Sequence, residues 1–224
     1  MVINEEIILS VINIILIDLV LGGDNAVVIA MACRKLPQKS RNKAIITGTF
    51  LAVLVRLVLT AMVLSLLAIP YLLFVGGCFL VYIAFKLISD KHEDPNIKAS
   101  TSFFTAVRTI VMADLVMGLD NILGIAGAAK GNLLLVVIGL SISVPIIVWG
   151  SKLILTAMDH IPGLIYLGSA VLAYTASGMI TGEPSFHDFF AEHPSFKTMV
   201  TTLIMTGVLF LGWVFNHSES SRKV

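Results

Sequence analysis

Charged residues are scarce in this sequence, and that scarcity excludes an ordinary soluble domain. Only 13% of the 224 residues are Asp, Glu, Lys or Arg, whereas 57% are hydrophobic and the mean hydropathy is +0.97. Soluble domains usually carry about 25% charged residues. The composition therefore predicts an integral membrane protein.

Cysteine is also scarce, and the sequence lacks both the basic start of a signal peptide and a lysine in its last apolar run. Cys33 and Cys78 lie far apart, which excludes CxxC thiol exchange and a cysteine-rich metal site. The chain starts with MVINEE, which has acids where a signal peptide has basic residues, so we expect the first apolar run to be retained. Residues 199–215 contain no lysine, which excludes a retinal Schiff base in that run.

Seven apolar runs are long enough to cross a bilayer as helices. A crossing of about 30 Å needs about 20 residues, and the runs are 7–33, 44–68, 71–89, 103–129, 133–156, 164–181 and 199–215. The loop after the first run has five basic residues and no acid: Arg34, Lys35, Lys39, Arg41 and Lys43. The positive-inside rule places that loop in the cytoplasm, which puts the N-terminus outside and the C-terminus inside.

The sequence also repeats itself. DLVLGGDNAV, starting at Asp18, returns as DLVMGLDNIL, starting at Asp114, and LTAM recurs at 59–62 and 155–158. The segment from Ile69 matches the one from Ile161. Because three crossings are an odd number, the second copy would be inverted, as in many secondary transporters. We predict an all-α membrane protein with seven transmembrane helices, two inverted three-helix repeats plus one C-terminal helix, N-out and C-in.

This repeat divides the chain into six segments. The first three-helix repeat is 1–90, a cytoplasmic linker is 91–102, and the second repeat is 103–181. An outer loop at 182–198, a seventh helix at 199–216 and a cytoplasmic tail at 217–224 follow. Within the outer loop, His187, Asp188, Glu192 and His193 are compatible both with metal capture or release and with an amphipathic surface loop.

Four aspartates fall inside apolar runs: Asp18, Asp24, Asp114 and Asp120. Each costs about 2.5 to 3.5 kcal/mol at the bilayer centre. Protons, internal arginines or a bound cation must therefore compensate them. The internal arginines are Arg56 and Arg108, which suit the role of charge partner and also that of a solute contact.

The two acids of each motif are six residues apart, which leaves them about 120° apart on an ideal helix. Gly22, Gly23 and Gly118 lie between these acids and permit a local break that would turn both carboxylates toward one cavity. Asn25 and Asn121 would then offer amide oxygens. Alternatively, the Asp-Asn pairs are helix caps at a kink and the first acid of each motif is structural.

Carboxylate and amide oxygens are hard ligands that suit Mg, Ca or Mn. Four aspartates and two arginines would leave a net charge near −2, which matches one divalent ion. Met31, Met112 and Met117 could add a thioether, which would favour a transition metal. The residues alone leave the identity of the cation open.

The segment GGDNAVVIAMACRKLP at 22–37, the arginine of VLVRLVLT at Arg56 and the segment MGLDNILGIA at 117–126 together resemble the TerC family of bacterial membrane proteins. The sequence is most similar to the short, seven-helix branch of that family in Bacillus-like bacteria. The family belongs to the LysE transporter superfamily, and its members are implicated in manganese efflux. The resemblance implies that Mn²⁺ is the transported ion. It also implies the metal ligands, Asp24, Asn25, Asp120 and Asn121, with Asp18 and Asp114 adjoining.

We therefore expect a transporter, not an enzyme, that exports a divalent metal across the bacterial cytoplasmic membrane by alternating access at a midplane Asp/Asn site. It would hold no cofactor, and Mn²⁺ would be its substrate. The expected partners are the cation, the lipid bilayer and counter-transported protons, and no nucleic acid. One alternative is a membrane factor that assists metalation or assembly of secreted proteins and binds secretion-linked partners. Another is an intramembrane protease, because paired aspartates occur in such enzymes.

Overall fold

The computed structural model describes residues 5–62, 69–89, 99–129, 132–161 and 163–220. These residues form helices and contain no strand, which confirms an all-α architecture for this part of the chain. The helices are α1 (Glu5–Leu21), α2 (Gly23–Cys33), α3 (Gln38–Ala61), α4 (Leu72–Ser89), α5 (Ala99–Ala128), α6 (Leu133–His160), α7 (Leu164–Thr181), a 3-10 turn (Pro184–Phe186), α8 (His187–Glu192) and α9 (Pro194–Ser220).

Among the described residues, five helices are each long and apolar enough to cross a bilayer: α3, α4, α6, α7 and α9. The pair of α1 and α2 is a sixth candidate if the two helices, bent by 48° at their break, count as one crossing. Helix α5 has 30 residues, or about 45 Å at 1.5 Å per residue, and carries the second motif. The chain is thus a multi-pass membrane protein, and its described residues contain five or six candidate spans. The count of seven and the orientation stay predictions.

The start of α3 differs from the predicted run, because the polar residues that precede the run are helical too. Helix α3 begins at Gln38 and not at 44, so three residues of the basic loop lie in its first turns. Arg41 donates from Nε to the carbonyl oxygen of Leu36 at 2.7 Å and from its terminal nitrogen to that of Arg34, which holds the loop against α3. Of the predicted linker, 91–98 lies outside the described residues, and α5 already begins at Ala99.

The helices group into two compact units whose boundaries differ from those of the predicted repeats. The first comprises the described residues within Met1–Ile69 and Ala99–Thr156, where α1, α2 and α3 all pack on α5. The second comprises those within Pro70–Lys98 and Ala157–Val224, where α4 packs along α7 and α9 packs on both. Each unit therefore combines helices from both halves of the chain. The repeat and its inversion stay predictions.

Small residues bring the paired helices close together. In the first unit, a Cβ on Gly48 of α3 would lie 2.7 Å from Cδ1 of Ile110 on α5. In the second unit, a Cβ on Gly77 of α4 would lie 2.8 Å from the carbonyl oxygen of Ala176 on α7. Helices in lipid associate largely through such close contacts at small residues. The tight α3–α5 pairing is what positions the buried polar residues described below.

A buried carboxylate ties the start of α4 to the segment after α7. Glu183 is 2% exposed and accepts hydrogen bonds from the backbone N–H groups of Tyr71 at 3.0 Å, Leu73 at 3.0 Å and Phe74 at 3.3 Å. Burial raises the pKa of this carboxyl, but the N–H donors outweigh burial and hold the pKa below its ordinary value. Tyr71 has a φ of 61°, a left-handed conformation that is strained for a non-glycine residue. Glu183 therefore stabilises both a helix start and a strained turn.

Candidate functional site

The first motif interrupts its helix at a glycine. Helix α1 ends at Leu21 and α2 begins at Gly23. The N–H of Gly22 donates to the carbonyl oxygen of Asp18 at 2.9 Å, and the N–H of Asn25 donates to that of Gly22 at 3.0 Å. A Cβ on Gly22 would lie 2.4 Å from the carbonyl oxygen of Asp18, so this turn of the chain has no room for a side chain. The interruption that the sequence suggests is present in this motif.

The second motif does not interrupt its helix. Helix α5 continues through all of DLVMGLDNIL. Gly118 is a single glycine, because Leu119 stands where the first motif has Gly23. One glycine in a helix costs about 1 kcal/mol relative to alanine, which weakens the helix without ending it. The two motifs therefore have different backbones despite their similar sequences.

One arginine joins the leading aspartates of the two motifs. Arg56 on α3 donates from one terminal nitrogen to Oδ1 of Asp18 and from the other to Oδ1 of Asp114. Ser143 on α6 donates its hydroxyl to Oδ2 of Asp18. Asp18 is 1% exposed and Arg56 2% exposed. Four helices thus contribute to one buried polar network.

This network is held by charge as well as by hydrogen bonds. Two carboxylates and one guanidinium sum to −1 when all three groups are ionised. Buried charges need partners, and leaving one unpaired costs about 3–5 kcal/mol. Arg56 supplies the internal positive charge that Asp18 and Asp114 require, and one negative charge stays unbalanced when all three groups are ionised.

A small cavity adjoins the network; we call it the aspartate cavity. Its polar lining consists of Asp18, Asn25, Thr49, Arg56 and Asp114, and the rest is aliphatic. The space open to the centre of a water-sized particle is about 20 Å³, and one water needs about 10 to 15 Å³ on that measure. The cavity therefore fits a water molecule or an ion stripped of most of its hydration shell.

Several buried polar atoms on this lining have no hydrogen-bond partner. They are both amide atoms of Asn25, Oγ1 of Thr49, Nε of Arg56 and Oδ2 of Asp114. Burying a polar group without a partner usually costs about 1–3 kcal/mol. Three of these atoms are oxygens that can act as ligands, and they come from α2, α3 and α5. The atoms left without partners thus converge on one small space.

The structure brings three of the six predicted metal ligands to the aspartate cavity: Asp18, Asn25 and Asp114. Asp24 is partly exposed and Asn121 is buried, and neither residue lines the cavity. The side chain of Asp120 lies outside the described residues. In the described part of the chain, no three His, Cys, Asp or Glu side chains are close enough together to hold a metal ion. Only two carboxylates, those of Asp18 and Asp114, come together on the cavity in this part of the chain, and the amide of Asn25 and the hydroxyl of Thr49 also line it.

The other predicted contributors lie elsewhere. Arg108 on α5 is exposed, and no ion pair joins it to another residue of the described ranges. Met31 and Met117 are buried without lining the cavity, and Met112 does not line it either. The cavity therefore presents oxygen and nitrogen atoms but no sulfur.

The segment at 183–197 is folded mainly by aromatic contacts. Phe189 stacks on His193 with ring centroids 5.0 Å apart, and Nδ1 of His193 lies 3.0 Å from the carbonyl oxygen of Phe189. Phe189 and Phe196 remain exposed. The side chain of His187 is outside the described part, so metal capture by this segment stays a prediction.

Two residues of the candidate site, Thr49 on the cavity and Ser143 in the network, were not singled out in the sequence. Thr49 precedes Arg56 by seven residues, which is two helical turns and places both on one face of α3. That periodicity could have identified Thr49. Ser143 gave no such signal, because its role depends on the packing of α6 against α1.

Comparisons with known proteins agree with the motifs. The family model described as "Integral membrane protein TerC family" matches residues 3–220. The uncharacterized membrane protein YjbE of Bacillus subtilis (strain 168) is 48% identical over 216 residues, which cover 96% of this chain and 99% of that protein. No solved structure matches the chain.

Two longer relatives come from Escherichia coli (strain K12). UPF0053 protein YegH is 29% identical over 178 residues, 70% of this chain and 34% of that protein. UPF0053 inner membrane protein YoaE is 25% identical over 198 residues, 80% of this chain and 38% of that protein. The chain matches only a little over a third of the length of each of them. The family match over nearly the whole chain and the full-length similarity to YjbE establish that the chain belongs to the TerC family of integral membrane proteins.

Proposed function

We propose that this protein is a transporter that exports a divalent cation, Mn²⁺, across the bacterial cytoplasmic membrane by alternating access at the aspartate cavity. The observation that carries the proposal is the set of ligand oxygens without partners on that cavity. Oδ1 of Asn25, Oγ1 of Thr49 and Oδ2 of Asp114 are buried there beside a network whose net charge is −1 when its three charged groups are all ionised. In a purely structural ion-pair network, most buried polar oxygens have a hydrogen-bond partner.

The chemistry of the lining favours a hard cation. Carboxylate, amide and hydroxyl oxygens suit Mg²⁺, Ca²⁺ and Mn²⁺, whereas soft metals prefer thiolate and thioether ligands. The small volume favours an ion that has lost most of its water. The choice of Mn²⁺ among the hard divalent ions rests on the resemblance to TerC proteins, whose members are implicated in manganese efflux.

The cavity also draws its polar residues from both halves of the chain. Asn25 and Arg56 come from the first half and Asp114 from the second. Solute sites of secondary transporters commonly lie where two structural repeats meet near the middle of the membrane. Membership of a family of integral membrane proteins is compatible with this location.

Reconstitution of the full chain tests the proposal. Proteoliposomes that contain a Mn²⁺-sensitive dye should report Mn²⁺ flux for the wild type, and Asp114→Asn should reduce the flux on the order of 10- to 100-fold, as loss of metal-site residues does elsewhere. Asp159→Asn changes an exposed aspartate of α6 and should leave the flux unchanged. Wild-type flux no faster than that of empty liposomes would refute transport. In that case, a defined secreted or secretion-linked partner that copurifies would favour the assembly-factor alternative.

A further inference from the structure

Thr49 behaves differently from other helical threonines of this chain. A threonine inside a helix commonly donates its hydroxyl to the carbonyl oxygen four residues earlier. Thr60, Thr109 and Thr181 all do so, at 2.8 to 2.9 Å. Thr49 is 4% exposed, and its hydroxyl has no partner. Its side chain lines the aspartate cavity.

Two further oxygens without partners lie on the same lining. Asn25 is 4% exposed and uses neither amide atom, and Asp114 pairs through Oδ1 while Oδ2 stays without a partner. Asp18 differs, because Arg56 and Ser143 occupy both of its oxygens. The cavity therefore offers one anionic and two neutral oxygens from three helices.

We propose that Thr49 is a ligand of the transported cation and forms with Asn25 and Asp114 an oxygen-only site that selects hard divalent ions over soft ones. This inference rests on the proposed function and adds a residue and a selectivity to it. The hydroxyl, the amide oxygen and the carboxylate oxygen each replace one water of the ion's hydration shell. Asp114 supplies the negative charge, and Arg56 keeps Asp18 neutralised.

The site also explains why the buried hydroxyl of Thr49 has no hydrogen-bond partner. A buried hydroxyl without a partner destabilises the fold, and replacing it by a methyl group of the same shape is neutral or stabilising. Thr49→Val should therefore leave the melting temperature of the metal-free protein unchanged or raise it. The same substitution should weaken the binding of the cation, which a merely structural threonine would not do.

Binding of MnCl₂ to the purified full chain in detergent, measured by calorimetry, tests the ligand role. Thr49→Val should lower the affinity for Mn²⁺ on the order of 10-fold or more, and Thr49→Ser, which keeps the hydroxyl, should retain most of it. Thr202→Val changes an exposed helical threonine and is the matched control. Wild-type affinity in Thr49→Val, together with a loss in Asp114→Asn, would overturn this inference and leave the proposed transport intact.

A thiol at the same position gives a second, independent readout. Thr49→Cys should raise the affinity ratio of Cd²⁺ to Mn²⁺ on the order of 10-fold relative to the wild type, because cadmium prefers sulfur. The comparison with the wild type corrects for binding by Cys33 and Cys78, which are free thiols. An unchanged ratio in Thr49→Cys would also overturn the ligand role. Failure of the wild type to bind Mn²⁺ at all would refute both this inference and the proposed function.

Discussion

Arg56 is the residue whose loss should most destabilise the first unit. Its guanidinium bonds to Asp18 and Asp114 at once, and Arg56→Gln would leave two buried carboxylates without their cation. Removing one partner of a buried ion pair costs about 3–5 kcal/mol. For a chain of this size, 1 kcal/mol corresponds to about 2–4 °C in melting temperature. Arg56→Gln should therefore lower the melting temperature by about 6–20 °C.

This loss of stability can be measured by heating samples of the purified protein in detergent and determining, by size-exclusion chromatography, how much folded protein remains at each temperature. Arg108→Gln is the matched control, because Arg108 is exposed and a surface substitution usually changes stability by less than about 0.5 kcal/mol. Adding Asp18→Asn to Arg56→Gln should recover part of the loss, with a coupling energy of about 0.5–3 kcal/mol. Equal melting temperatures for Arg56→Gln and Arg108→Gln would refute the charge argument.

Four further substitutions test three local features. Gly22→Ala should destabilise the protein and disturb the α1–α2 break, because its Cβ would lie 2.4 Å from the carbonyl oxygen of Asp18. Gly23→Ala should be tolerated, because the space around its Cβ is open. Similar melting temperatures for the two variants would contradict this. Ser143→Ala should cost about 1.5–3 kcal/mol in thermal unfolding, since it removes a donor to the carboxylate of Asp18. The pKa of Glu183 is lower in the folded than in the unfolded state, so its stabilisation is present above the unfolded pKa and is lost as the pH falls through the folded pKa. Glu183→Gln should therefore lower the melting temperature at neutral pH and flatten its fall on acidification, and an unchanged pH profile would contradict this.

The helices could be predicted from the sequence because long apolar runs have few other solutions in a bilayer. The break at Gly22 could also be anticipated, because two adjacent glycines lie between the acids. The start of α3 could not be predicted, since Lys39, Arg41 and Lys43 extend the helix beyond the apolar run. The continuity of α5 could be judged only with the neighbouring helices in place.

The types of residue in the candidate site could be predicted from the sequence, but not every individual residue that belongs to it. The internal similarity aligns Arg56 with Lys152, three residues before LTAM in each copy. Arg56 is buried between two acids, but Lys152 is exposed. Thr49 lines the cavity and Ser143 joins the network because of how α3 and α6 pack against α5 and α1. Sequence similarity between two segments therefore does not give them equivalent positions in a folded chain.

The guanidinium that Asp18 and Asp114 share also matters for the order in which charged residues enter the membrane during synthesis. Arg56 is synthesised 38 residues after Asp18 and 58 residues before Asp114, so the counter-ion leaves the ribosome between the two carboxylates. A circular permutant that starts at residue 91 would deliver Asp114 and Asp18 before Arg56, so two acids, each costing about 2.5–3.5 kcal/mol at the bilayer centre, would precede their counter-ion. Membrane insertion of the permutant should therefore be less efficient than that of the native chain.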